Sequence, residues 1–344
     1  MKYEILHEFP APKIEAAWRA FLNRIEFPAH YDSPEYFLEP YWTDKGPFAV
    51  LAVDGDRVVA VLTGLHERGQ VTSGLQSRPQ ISVDPNTDGE AALKTLLQGL
   101  LMEAGSAKLL TVYTWPSLEL SAFTAKGFRR RQLLGNVVLD LTPGAEAVFQ
   151  QFSKDRRRNI RFAEKHGITV RLVTEREDFL RAYDVYLAWR ETGRKEVIGP
   201  RHTFEKFESA HRLSKNRRLF LAELSGKPIA TNVFRFYPGG LFESAANSSL
   251  DEFLHLKPND LLQWKGIEWA CANGLRRHSL GGAHTFLTRF GGVVIPVIRY
   301  RLDRTLLRKH DVREMVADTA RRKFQQMPPA IQKQVRRALG KEGH

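Results

Sequence analysis

The chain has 344 residues, 42% of them hydrophobic and 26% charged, which is too long for one ordinary compact domain and fits two packed globular ones. Lys plus Arg is 52 against 39 Asp plus Glu, a net charge of +13. That balance favours anionic partners (phosphate-rich cofactors, RNA, acidic lipid surfaces, anionic substrates), or it simply keeps the surface soluble. A single cysteine, Cys271, excludes an intrachain disulfide, and no apolar run reaches the roughly 20 residues of a membrane helix. The N-terminus, Met1 to Glu8, has no apolar signal-peptide core, so the expected location is the cytoplasm.

In chain order, Ile14, Trp18, Phe21, Leu22 and Ile25 recur at helical spacing and predict an amphipathic helix. A loop with Pro28, Pro34 and Pro40 follows. Phe48 to Val53 and Val58 to Leu62 read as strands joined by the turn Asp54-Gly55-Asp56, and another strand ends near Val83. Glu90 to Glu103 predicts a helix stopped by Gly105. Then come a strand at Leu109 to Tyr113, a short helix at Leu118 to Lys126 and a strand at Gln132 to Leu141. Thr142-Pro143-Gly144 breaks the pattern and marks a boundary, giving one unit over residues 1–145 and a second over 146–310.

The second unit repeats the order. A helix is expected over Phe149 to Lys165, a strand over Thr169 to Val173 and a helix over Glu177 to Thr192. A polar stretch, Gly193 to Pro200, precedes strands at Leu219 to Leu224, Ile229 to Phe236 and Leu241 to Ala246. A helix at Asp260 to Ala272 and a strand at His278 to Leu280 follow. Local text recurs in the same order. Gly55 matches Gly226, Asp84-Pro85-Asn86 matches Lys257-Pro258-Asn259, and Leu96-Leu97-Gln98 matches Leu261-Leu262-Gln263, which points to duplication. The tail, 311–344, reads as a basic helical appendage broken at Pro328-Pro329, with its charges solvated rather than forming a specific RNA or lipid site.

Several chemistries lose support. The chain has no Gly-x-Gly-x-x-Gly, no Walker sequence, no His-Glu-x-x-His, no Gly-x-Ser-x-Gly and no close metal-ligand spacing among its histidines, so no metal site is expected. Cys271 falls on the apolar stripe of its helix and reads as a packing thiol.

The segment from Phe152 to Gly167, with its run Arg156-Arg157-Arg158-Asn159-Ile160-Arg161, resembles the basic signature helix of Fem-type aminoacyltransferases and related N-acetyltransferase-like (GNAT-like) families. Leu256 to Trp264 resembles their loop-to-helix segment. Leu280-Gly281-Gly282 and Phe286 to Gly292 resemble their closing strand and Phe-Lys-x-x-Phe-Gly motif. The resemblance covers most of 146–302 and, more loosely, the first unit. It implies an α/β fold of two tandem N-acetyltransferase-like mixed units with a basic helical tail, and an acyltransferase activity. Leu287 stands where that motif usually has lysine, with Arg289 as a substitute two residues on.

The basic helix can also be read physically. Arg157, Arg161 and Lys165 form one positive stripe and Arg158 begins another, a pattern suited to an anion or to solvation alone; the expectation is that Arg157, Arg158 and Arg161 line a cleft between the units. Lys257-Pro258-Asn259-Asp260 meets a helix start, where free N–H groups suit a phosphate and where Asn259 suits a cap. The first-unit loop, Asn86 to Ala91, carries Asp88 and Glu90, which would repel a pyrophosphate, so the donor is expected in the second unit. Glu243 and His284 are the candidate catalytic residues, and Arg157, Arg158, Arg161, Lys257, Asn259 and Arg289 the candidate donor- or substrate-binding ones. Three functions remain open: an N-acyltransferase using acyl-coenzyme A and an unidentified amine, a Fem-like transferase using aminoacyl-tRNA, and a non-catalytic scaffold that binds RNA or acidic membrane surfaces.

Overall fold

The computed structural model describes residues 1–26, 28–42, 45–192, 201–212, 215–328, 331–332 and 334. The chain opens with β1 (Lys2–Leu6) and α1 (Pro12–Leu22), which buries Trp18, Phe21 and Leu22. Short 3-10 segments at His30–Asp32, Pro34–Leu38 and Pro40–Trp42 lead into β2 (Gly46–Asp54) and β3 (Arg57–Glu67). Next are β4 (Gln70–Ser73), β5 (Ile81–Val83), α2 (Gly89–Ala104), β6 (Leu109–Thr114), α3 (Ser121–Ala125) and β7 (Arg129–Asp140). The second half runs through α4 (Ala145–Gln151), α5 (Lys154–Lys165), β8 (Ile168–Leu172), α6 (Arg176–Glu191), α7 (Phe204–His211), β9 (Arg217–Leu224), β10 (Lys227–Phe236) and β11 (Leu241–Ser249). It closes with α8 (Pro258–Ala272), β12 (Arg277–Gly282), α9 (Thr285–Thr288), β13 (Val293–Asp303) and α10 (Lys309–Gln326).

All the strands join one mixed sheet in the order β1-β2-β3-β4-β6-β13-β7-β12-β11-β10-β9-β8, with β5 on β3. The two halves have the same strand plan. Each has four strands in antiparallel succession, then one parallel neighbour: β4 with β6 in the first half, β11 with β12 in the second. The repeated text falls on equivalent elements. Gly55 and Gly226 sit in the β2–β3 and β9–β10 hairpins at positive φ, and the two Leu-Leu-Gln runs sit in α2 and α8. The mixed α/β architecture with duplicated units is therefore as the sequence implies.

The closing strand of each half comes from the other. β13 lies beside β6, and β7 lies beside β12, while β7 and β13 also pair with each other. The sequence reading has no strand after Leu280, so this interlock is new, and it fuses the halves into one sheet. At the changeover Gly135 has φ +86°, and a Cβ there would fall 1.9 Å from the Ile295 carbonyl oxygen. Only glycine allows that approach.

Two further differences have local causes. The helix expected over 149–165 is two helices, because Phe152 is extended and the Ser153 hydroxyl caps α5 by accepting from the Arg156 N–H at 3.4 Å. The start of the tail is not free. Arg131, Arg299 and Arg301 on β7 and β13 all donate to Glu314 of α10, and Arg131 also donates to Asp318. Lys333, Arg336, Arg337, Lys341, Pro329 and the Gly193 to Pro200 stretch lie outside the described residues.

Because Glu314 is a quarter exposed, this clasp is a hinge-strength contact rather than a core one. Glu314→Ala should increase limited proteolysis within α10 about tenfold, since the cleaved population follows the opening free energy, here a loss of roughly 1–1.5 kcal/mol. The same digestion in wild-type protein should accelerate with added salt.

Candidate functional site

The broad β9–β11 surface has two differently built faces. One packs on α8 and is closed. Phe234, Phe242, Leu261, Leu262 and Ile267 are buried together, and a Cβ on Gly266 would fall 2.3 Å from the Phe234 ring. Four polar residues share this face. The Gln263 amide contacts His278 Nε2 at 2.6 Å and accepts from Asn232 at 3.2 Å and Ser244 at 3.4 Å. His278 Nδ1 donates to the Phe242 carbonyl at 3.0 Å, so its proton sits on Nδ1. Burial pushes this imidazole down to about 4, which keeps it neutral.

The opposite face carries the alternate residues of β10: Thr231, Val233 and Arg235. It is covered by α6 and α7 and faces the 28–42 segment of the first half. A cavity of about 420 Å³ lies between them. Tyr31, Tyr41, Trp42 and Arg78 line it from the first half, and Tyr186, Trp189, His202, His211, Arg217, Arg235 and Ala245 to Ser248 from the second. The β11 wall is irregular. Phe234 pairs with Ser244 but Val233 pairs with Ala246, so Ala245 is an extra residue, a bulge. On the other edge, β11 pairs with β12 only through Leu241, Phe242 and Glu243, and beyond Glu243 the two parallel strands splay.

Three guanidinium groups converge on Tyr31. Arg78 lies 4.1 Å and Arg235 4.6 Å from its ring centroid. Arg235 and Arg217 donate to its hydroxyl at 3.2 and 3.3 Å, and that hydroxyl donates to Glu39 at 2.7 Å. Arg217 forms a buried ion pair with Glu39 that joins the two halves. Arg78 and Arg235 form no ion pair with any described residue. Burial and the neighbouring Arg235 lower Arg78 to about 10, still cationic at neutral pH.

Carboxyl groups stand beside these cations. Glu243 is buried directly across the strand pair from Arg235, and its Oε2 has no hydrogen-bond partner. Asp32 accepts from the Ala29 N–H at 3.2 Å and the Ser82 hydroxyl at 3.1 Å, and its Oδ1 is likewise unpartnered. Burial, with Glu243 nearby, raises Asp32 to about 7. Burial, with Arg217, Arg235 and Arg78 around it, pushes His30 far down, so it is neutral. Unpartnered buried atoms also include Arg78 Nε, Gln80 Nε2, Asn136 Oδ1 and Arg235 Nε. Chains rarely leave so many polar atoms unmet in one place, because each carries a desolvation cost.

The Asp32 shift has a stability consequence with a definite sign. Its folded pKa lies above the ordinary 3.8, so the folded state retains a proton that the unfolded chain releases. Asp32 thus destabilises the fold progressively as pH rises from about 4 through about 7. Asp32→Asn should be more stable than wild type in urea at pH 8, with the advantage gone at pH 4. An equal difference at both pH values would contradict the assignment.

The structure scatters the sequence candidates. Glu243 lies at this site, on the last paired position before the splay. His284 is exposed at the start of α9, and no hydrogen bond joins it to Glu243. Arg157, Arg158 and Arg161 are on the outer surface of α5, not in the cavity between the halves. Arg157 donates to Gln150, and Arg158 pairs with exposed Asp155. The buried member of that run is Arg156, which pairs with Asp260 at the start of α8 and stacks 4.0 Å from the Phe286 ring centroid. Asn259 is not the cap of α8. The cap position is Lys257, and the Asn259 side-chain oxygen Oδ1 accepts from Asn247 and Ser249 instead. Arg289 is exposed, and Leu287 packs in the core where the motif usually has lysine. Asp88 caps α2 through the Ala91 N–H at 3.1 Å. Arg78, Arg217 and Arg235 escaped the sequence reading. The signal for Arg235 was its place in the apolar end of a strand, a charge between Phe234 and Phe236 on the same face as Thr231 and Val233.

Among the described residues no group of three His, Cys, Asp or Glu side chains is arranged to hold a metal ion, and no helix is long and apolar enough to cross a membrane. Residues 150–289 match the family model of the acetyltransferase (GNAT) domain. No curated protein matches the chain in sequence. The fold is similar to that of FemX, at TM-score 0.63 and 12% identity over 88% of this chain and 97% of that one. It is similar to L-PGS from Bacillus licheniformis, at TM-score 0.59 and 14% identity over 92% and 98%. It is also similar to a tandem GNAT protein from the clavulanic acid biosynthesis pathway, at TM-score 0.58 and 14% identity over 89% and 99%. The second half thus carries the match to a GNAT domain and the first half repeats its strand plan, so the fold is mixed α/β with duplicated, N-acetyltransferase-like units.

Proposed function

We propose that this protein is an N-acyltransferase that moves an acyl group from acyl-coenzyme A to an amine held in the cavity between the units, which divide near residue 145. The observation that carries the reading is the set of unpartnered buried polar atoms around the β11–β12 splay. Glu243 and Asp32 can accept a proton there, and the Ala245 bulge can turn a backbone N–H towards an acyl carbonyl. The amine nitrogen attacks the carbonyl carbon, a C–N bond forms and the C–S bond breaks. The amine proton passes to a carboxylate, and the departing thiolate is protonated from solvent. The start of α8 would meet the donor phosphates through half-buried Lys257 and the positive helix end, Asp260 being already neutralised by Arg156. Lys257, Asn259 and Arg289 remain donor-side candidates, and His284 and Glu243 candidates for proton transfer.

The reading with an aminoacyl-tRNA donor draws support from the net charge of +13 and the fold likeness to FemX and L-PGS. The two donors separate by salt. Binding of acetyl-coenzyme A to the full-length protein, followed by isothermal calorimetry, should vary little between 50 and 300 mM salt. Aminoacyl-tRNA affinity should fall steeply, by about 0.7–0.9 in log K per log salt for each phosphate engaged. Saturable acetyl-coenzyme A binding with transfer to an amine supports the proposal. Aminoacyl-tRNA binding with no acyl-coenzyme A turnover favours the second donor, and neither activity leaves a binding scaffold.

A further inference from the structure

We infer that the acceptor is a small zwitterionic amine, an amino acid or short peptide, whose carboxylate is held by Arg78 and Arg235; this rests on the transfer reading above. Arg235 is almost fully buried, and among the described residues neither guanidinium has a carboxylate within ion-pairing distance. A buried cation without a counter-ion is costly, and the third guanidinium shows the contrast, because Arg217 is neutralised by Glu39. Glu243 and Asp32 stand nearby, but neither is within ion-pairing distance, so both guanidinium groups keep donors free for an anion in the cavity.

The two groups also line the same cavity. Both stack on Tyr31, at 4.1 and 4.6 Å, so they are held on one small ring, and both leave Nε without a hydrogen-bond partner. Two planar forks that open on one cavity suit a carboxylate, which can accept from each. Glu243 sits across the strand pair from Arg235. A ligand whose carboxylate meets Arg235 therefore brings an amine two or three bonds away within range of the Glu243 carboxylate. That is the spacing within an α- or β-amino acid. The amine then lies at the last paired position before the splay, beside the Ala245 bulge. The volume of about 420 Å³ accommodates an amino acid or a dipeptide and excludes a folded protein chain.

The test is binding measured without any donor. The full-length protein is screened by thermal shift against the twenty free amino acids, a dipeptide panel, the matching C-terminal amides, and inorganic phosphate. At least one zwitterion should bind, and its amide should bind at least about tenfold more weakly, the loss expected for a charge-assisted bidentate contact. Arg235→Gln and Arg78→Gln should each weaken that ligand about ten- to a hundredfold, with Arg78→Lys recovering part of the loss. Acetyl-coenzyme A affinity should be unchanged in all three, which also reports an intact fold. Free amino acids binding best would identify the monomer, and dipeptides binding best a peptide terminus. Equal binding of acid and amide, no binding by any zwitterion, or a response to phosphate alone would overturn the inference. Acyl transfer to amines lacking a carboxylate, at undiminished kcat/KM, would overturn it while leaving the acyltransferase reading intact. Zwitterion binding without transfer from any donor would do the reverse.

Discussion

Arg217→Met should be the most damaging single change in the cavity wall, costing about 3–5 kcal/mol of folding stability in urea denaturation. Arg217 and Glu39 are both almost completely buried, and they reach each other from different units. Removing the guanidinium leaves the Glu39 carboxylate in the interior with, among the described residues, only the Tyr31 hydroxyl as donor. Glu39→Gln in the Arg217→Met background removes that stranded charge and should restore most of the loss. A single-variant cost below about 1 kcal/mol would mean that water reaches this pair. Because β7 and β13 interlock the units, the destabilised protein should still unfold in one transition rather than losing one unit first.

Arg156→Ala is expected to cost a comparable amount, about 3–5 kcal/mol, while Arg158→Ala should stay within about 0.5 kcal/mol of wild type. Arg156 is buried between Asp260 and the rings of Phe286 and Phe290, so it fixes α5 to the start of α8 and to α9. Its loss strands Asp260, which also accepts from Asn159. Among the described residues Arg158 pairs only with Asp155, and both are well exposed. Paired urea titrations of the two variants decide the matter. Equal costs would mean that α5 does not use its arginines in the way this packing requires.

The arginine run shows where sequence was legible and where it was not. Four crowded basic residues marked α5 as an unusual helix, and the matched GNAT domain begins just before it, at residue 150. Helical periodicity says which residues share a face but not which face meets a neighbour, so half-buried Arg157 and exposed Arg158 and Arg161 were favoured over buried Arg156. The duplicated strand plan was readable because glycine turns and alternating strands are local signals. β13 was not, because a strand's partner is set by a residue 150 or more positions away; Val293 pairs with Val138. The cavity suffers the same limit. Tyr31, Arg78 and Arg235 are far apart in sequence, and only the sheet brings them together. Glu243 could be picked out in sequence because a carboxylate in mid-strand is unusual on its own, but its place opposite Arg235 could not.

The most direct measurement of the central claim is kcat/KM for acyl transfer to the tightest-binding amine, by mass spectrometry of the acylated product. It compares the wild type with Arg235→Gln, Glu243→Gln and Arg158→Ala. The cavity account predicts losses of about ten- to ten-thousandfold for the two cavity variants, with Arg158→Ala at wild-type rate. Full activity in both cavity variants, or loss in Arg158→Ala alone, would place the chemistry elsewhere and contradict the account.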